Sequence, residues 1–120
     1  MRYICLIYDD ESQYAKMSEA EGARIMQEYF QFTDDIVKSG HHRAGDALQP
    51  STTATTIRTK NGKVITTDGP FVETKEQLGG FYIIEAANLD EALKIARRIP
   101  AATHGGAVEV RPILETPRPQ

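Results

Sequence analysis

Between Asp68 and Glu76 the chain reads Asp-Gly-Pro-Phe-Val-Glu-Thr-Lys-Glu, a short stretch that gathers groups suited to proton transfer. Asp68 and Glu73 are carboxylates and Lys75 is a cation close by. A carboxylate near a lysine on a partly enclosed loop can work as an acid/base pair or anchor a ligand. The same residues also suit a simple turn: aspartate accepts from nearby amides, Gly69 takes unusual φ values and Pro70 fixes φ. Asp68, Glu73 and Lys75 are therefore candidate catalytic residues. Phe71 is a candidate apolar contact for a ligand. Gly79 and Gly80 are candidates because a backbone without Cβ can approach a ligand closely, although a bulge at the start of a strand explains them equally well.

His104 joins the catalytic candidates. It lies in Thr103-His104-Gly105-Gly106, and an unperturbed pKa near 6.5 suits proton transfer at neutral pH. His41 and His42 follow an expected helix end and are expected to face solvent. Glu109 and Arg111 stand two apart on an alternating segment, hence on one face of a strand. There they form either a solvated ladder with residues such as Glu85, or, with Arg111 as anchor, a binding site for a carboxylate. No ligand spacing supports a metal site, and no cofactor is called for. Cys5 is the one cysteine; it cannot form an intramolecular disulfide, and its apolar neighbours mark it as core packing.

These groups need a scaffold, and its size is bounded. A chain of 120 residues, 40% hydrophobic and 26% charged, fits one ordinary globular domain. A net charge of -3 argues against a general nucleic-acid binder. No apolar run approaches the roughly 20 residues that span a bilayer. The opening Met1–Tyr8 lacks the features of a signal peptide, so a cytoplasmic location is expected.

Arg2–Tyr8 is continuously apolar and aromatic, as a strand covered on both faces would be. Ser18 and Glu21 form a capping box, and Ile25, Tyr29, Phe32 and Ile36 follow at helical spacing up to Gly40, a natural stop. Asn61-Gly62, between the β-prone runs Thr53–Thr59 and Val64–Thr67, predicts a hairpin. Gly79–Glu85 reads as a strand. Asn88 caps a second helix with Leu89, Ala92, Leu93, Ala96 and Ile99 on its apolar stripe, stopped by Pro100. Val108–Ile113 alternates as a half-buried strand, and Thr116–Gln120 reads as a loose tail after a 1–115 domain. The order β-α-β-β-β-β-α-β, with right-handed crossovers, predicts an α+β, ferredoxin-like antiparallel sheet with both helices on one face. An RNA-recognition module of similar topology is rejected, because Ile83-Ile84-Glu85 lacks the basic and aromatic pattern and the chain is acidic.

The stretch Asp68–Phe81, with Leu89–Leu93, Val108–Pro112 and Tyr3–Tyr8, resembles the YCII-related family in its DGPF branch. The resemblance implies a dimeric ferredoxin-like fold, a bacterial and largely uncharacterised family, and relatives encoded with or fused to extracytoplasmic-type sigma factors. Other relatives have been proposed as enzymes using a histidine on the first helix with an aspartate. Here Glu19–Ser39 holds no histidine, so that mechanism does not transfer directly. Two functions follow as expectations. One is a small-molecule-binding domain, of acid/base lyase or isomerase type, with a cleft built from the Asp68–Glu76 loop, the His104 loop and the sheet. The other is a non-catalytic module that partners a sigma factor. A homodimer is expected through the sheet face left open by the helices. Tyr82, Ile84, Val108 and Val110 are counted towards that apolar sheet, with Glu109 or Arg111 near the seam and the Asp68 loop at its rim.

Overall fold

The computed structural model describes residues 1–119; Gln120, the end of the expected tail, lies outside them. Strand β1 (Arg2–Asp9) runs through the middle of a four-stranded sheet. It pairs antiparallel with β5 (Gln77–Glu85) on one side and β6 (Ala107–Pro112) on the other. Strand β2 (His42–Ala47) lies outside β5, giving the order β2-β5-β1-β6. This is the ferredoxin-like plan with one addition. Strands β3 (Thr55–Lys60) and β4 (Lys63–Asp68) form a separate two-stranded sheet between β2 and β5 in sequence.

The long helix α2 (Glu19–Lys38) starts where its sequence says it should, with the Ser18 hydroxyl accepting from the Glu21 amide at 3.1 Å. It ends in a Schellman turn. Gly40 takes φ 82°, and the His41 and Gly40 amides donate to the Ile36 and Val37 carbonyls at 3.0 and 3.1 Å. Helix α3 (Leu89–Ala96) is capped by Asn88, whose Oδ1 accepts from the Glu91 amide at 3.0 Å. Pro100 does not merely stop α3. It opens the short α4 (Pro100–Thr103), because the first helical position has no amide bond for proline to lose. In the hairpin turn Asn61 and Gly62 adopt φ values of 52° and 76°, the doubly positive geometry that matches the twist of the strands.

One core unites these parts. Tyr3, Cys5 and Ile7 from β1 and Tyr82 and Ile84 from β5 pack against Phe32 and Ile36 of α2 and Ala92, Ile95 and Ala96 of α3. Both helices therefore cover the same sheet face. Val108 and Val110 also pack on this core. This corrects the expectation that Tyr82, Ile84, Val108 and Val110 supply the apolar groups of the open face. The registers Cys5↔Val110 and Tyr3↔Ile84 place them beneath the helices. The open face instead carries Ile4, Leu6, Phe81 and Ile83, paired as Ile4↔Ile83 and Leu6↔Phe81. Glu109 and Arg111 border it, opposite Leu6 and Ile4.

Truncation of the core and of the hairpin should differ sharply. Ile84 is fully buried, so Ile84→Ala should cost about 2–5 kcal/mol through lost burial and a residual cavity. Val64 is 70% exposed, so Val64→Ala should change the unfolding free energy measured in urea by less than about 0.5 kcal/mol. Equal losses in the two variants would contradict this division of the chain.

Candidate functional site

A groove of about 630 Å³ opens between α2 and the far ends of β1, β2 and β5. Its walls are largely apolar, with Ile7, Ile25, Met26, Phe30 and Tyr82 among them. Asp9, Glu11, Tyr14, Tyr29, Thr33 and His42 add polar groups along this lining.

Asp9 is the last residue of β1 and pairs with Gln77 of β5. Three segments close on it. The Tyr14 hydroxyl, from the one-turn helix α1 (Glu11–Ala15), donates to Asp9 Oδ2 at 3.4 Å. Gly106, just before β6, lies so close that a Cβ there would stand 2.3 Å from Asp9 Oδ1 and 2.5 Å from the Tyr8 carbonyl. Glu76, at the start of β5, adds a like charge. Burial raises the Asp9 pKa above the ordinary carboxylate range and Glu76 adds to the rise, while the Tyr14 hydrogen bond and the nearby His104 oppose it. Burial first, and the nearby Asp9 charge second, raise the pKa of Tyr29 on α2 above its ordinary value. Asp10, the next residue, is pulled the other way. It accepts from the Ser12 hydroxyl at 2.6 Å and caps α1, and Lys75 is among the charges that lower its pKa.

Helix α1 buries no residue of its own and is held by side chains instead. The Glu11 carboxylate accepts from both the amide and the hydroxyl of Ser51 at 2.7 Å each. The Glu11 amide donates to Gln77 Oε1 at 3.0 Å, and Gln77 Nε2 donates to the Thr74 carbonyl at 2.6 Å. Thus α1, the 3₁₀ turn Ser51–Thr53 at the foot of the hairpin and the loop before β5 are fastened together.

The residues singled out from sequence are dispersed around this centre. Asp68 ends β4, and Asp68, Phe71, Glu73 and Lys75 are all exposed, with Arg58 over the Phe71 ring at 5.0 Å. The same loop lends Pro70, Val72 and Thr74 to a second, smaller cavity of about 430 Å³ beside Tyr8 and Leu78. Gly79 and Gly80 line the main groove where the β1–β5 register slips between Ile7 and Tyr8. A Cβ on Gly80 would meet the Asp46 carbonyl at 2.9 Å. His104 is 3.0 Å from Glu28 of α2, within the field of Asp9 but outside the groove lining. Arg111 is paired with Glu109 on the open sheet face.

His41 and His42 are half-buried rather than turned to solvent. The His41 ring bridges Ser39 and Glu91, at 2.7 and 3.1 Å, where the Schellman turn meets α3. His42 sits in the groove, edge-on to Tyr82. Asp9 itself escapes a sequence reading, because an acidic residue after an apolar run looks like a strand terminator. The available hint was Tyr14, an aromatic set between polar residues.

The architecture defines a ferredoxin-like α+β domain with a ligand-sized groove at the sheet end. Residues 1–117 match the family described as the YCII-related domain, and the chain belongs to that family. An uncharacterised protein of Rhizobium meliloti (strain 1021) is 43% identical over 114 residues, spanning 94% of this chain and 92% of its own. Among solved structures, 5-chloro-2-hydroxyhydroquinone dehydrochlorinase from Burkholderia phenoliruptrix AC1100, in complex with 2,5-dihydroxybenzoquinone, aligns with a TM-score of 0.52 at 16% identity. The alignment covers 97% of this chain and 96% of that one. At that identity the likeness speaks for the fold.

The Asp9 environment has a measurable consequence. A carboxyl with a raised folded pKa stabilises the fold most when protonated, and that contribution is lost as pH rises through the folded value. Asp9→Asn should therefore melt higher than wild type at pH 7, and the gap should close below the unfolded aspartate value of about 3.9. A variant less stable than wild type across the whole range would show that Asp9 is held by its bonds rather than penalised by burial.

Proposed function

We propose that this chain binds a small, largely apolar ring compound in the groove and catalyses a proton transfer on it, as in an elimination or isomerisation. The observation that carries this reading is Asp9: a half-buried carboxyl with a raised pKa, lining a ligand-sized apolar groove and hydrogen-bonded by a tyrosine hydroxyl. A carboxyl shifted upward is a better base for a weakly acidic proton than an ordinary aspartate, because its pKa lies nearer the working pH. The Asp9 carboxylate takes a proton from the substrate. Tyr29, kept protonated by burial and by the Asp9 charge, offers a hydroxyl to the substrate oxygen on which negative charge develops. Tyr14 holds Asp9 in place, and His104 lowers the Asp9 pKa part of the way back. The chemistry sits at Asp9 rather than at Asp68, Glu73 or Lys75, which are exposed on a loop. The quinone-type compound bound by the dehydrochlorinase neighbour is of the size and character this groove accepts, which supports the substrate class.

Within the family, the Asp68–Phe71 tetrapeptide supports placement in the DGPF branch. We further propose a homodimer that packs the open sheet faces together, since Ile4, Leu6, Phe81 and Ile83 form a contiguous apolar strip with no helix over it. A screen of hydroxylated and keto-substituted benzenes by ligand-observed NMR tests the site. Asp9→Asn should weaken binding or turnover at least tenfold while keeping a wild-type near-ultraviolet spectrum. Hits that bind and react unchanged in Asp9→Asn, yet are lost in Asp68→Asn, would move the site to the loop. For assembly, sedimentation at micromolar protein should show a dimer that Ile83→Lys splits.

A further inference from the structure

Among the described residues the hairpin β3–β4 has little to lie on beyond the Phe71 ring under Arg58. Ile57 and Val64 are each 70% exposed, and the two strands pack chiefly on each other. An isolated two-stranded hairpin is marginal in water, so an ordered apolar arm needs a surface to cover it. The register gives it two unlike faces. Thr59↔Val64 and Ile57↔Thr66 put Ile57, Val64 and threonines on one side, and Arg58↔Ile65 and Lys60↔Lys63 put the cations on the other.

The same chain leaves a second apolar surface bare. At the groove mouth Met26 and Phe30, one turn apart on α2, are 53% and 62% exposed, and Leu48 is 48% exposed. No residue of Thr55–Asp68 lines that groove, so the two bare surfaces do not meet within one described chain. Their charges are complementary. The arm holds three cations against one carboxylate, whereas α2 holds five carboxylates against two cations. Two complementary surfaces that cannot meet within a chain are satisfied by reciprocal exchange about a two-fold axis.

We propose that the arm of one chain lies across the groove mouth of a second copy, setting Ile57 and Val64 against Met26, Phe30 and Leu48. Arg58, Lys60 and Lys63 stand on the arm's other face, so they act as a long-range charge that steers the encounter with the acidic α2 rather than as bonds across the contact. Each site is then walled by its own chain on three sides and by the partner's arm on the fourth, so the groove is incomplete in a monomer. The inference rests on the groove reading for its effect on ligands, but the docking itself stands apart from any catalytic role of Asp9.

Cysteine cross-linking of the full-length protein tests it, because the native Cys5 is fully buried and its thiol, pushed up by burial to about 11, stays out of the reaction. Ile57→Cys protein mixed with Phe30→Cys protein should yield a disulfide-linked pair under mild oxidation. A mixture with Ile83→Cys, on the open sheet face, should yield at least tenfold less. Lys60→Glu with Lys63→Glu should lower the Ile57–Phe30 cross-linking rate about tenfold at low salt, with less effect at 0.5 M. The Asp9→Asn background should cross-link like wild type, which separates failure of arm docking from failure of the catalytic reading. A preferred link to Ile83→Cys, no link at any concentration, or an unchanged Ile57–Phe30 cross-link in the charge-reversed protein would overturn the proposal.

Discussion

The two-sided pairing of β1 is the constraint on which the rest depends. Bonded on both edges, this strand fixes the register of β5 and β6 at once, and its alternation decides which side chains meet the helices. Tyr3, Cys5 and Ile7 go beneath α2 and α3; Ile4 and Leu6 go to the other side. A shift by one residue would exchange the two sets and leave the helices facing Ile4 and Leu6, so the pattern and the pairing enforce one another. The same strand carries Asp9 out of its apolar run to the mouth of the groove. The site is thus an extension of the most firmly specified element in the fold.

Much of this was legible beforehand because it rests on local chemistry. Ser18, Gly40, Asn88 and Asn61-Gly62 each name a cap or turn through a bond or a φ value, and each fulfils that role here. The order of strands and helices followed from these punctuation marks and from periodicity. What could not be read was which face of a strand points where. Val108 and Val110 alternate with charges as a half-buried strand should, but alternation names two faces without saying which one the helices cover. Only the pairing Cys5↔Val110 settles that.

The site was harder still, for a related reason. The loop from Asp68 to Glu76 is dense in functional groups, yet density along a sequence is not convergence in space, and its carboxylates end up in solvent. Asp9 gains its character from residues far along the chain: Tyr14 from α1, Gly106 from the approach to β6, and Tyr29 from the middle of α2. Gly106 shows how indirect the dependence is. It touches no groove and carries no side chain, but its missing Cβ is the space the Asp9 carboxylate occupies. His104, two residues earlier, was read as a proton carrier. It is tied to Glu28, and in the structure it bears on Asp9 as a charge nearby.

The bond between Glu11 and Ser51 has a mechanical side. Ser51 belongs to the turn from which the hairpin springs, and Glu11 belongs to the helix that presents Tyr14. Since α1 has no buried residue to anchor it independently, any tilt of the hairpin's root would pass through two short hydrogen bonds to the helix that carries Tyr14, the partner of Asp9. The hairpin is the long limb of a lever and α1 the short one, with the clasp as its pivot. Leverage of this kind turns a coarse displacement at the tip into a small, directed one beside a carboxyl group. A fold only 19 Å thick along its shortest dimension thereby joins its hairpin to the Asp9 groove by side-chain bonds at the periphery rather than through the core.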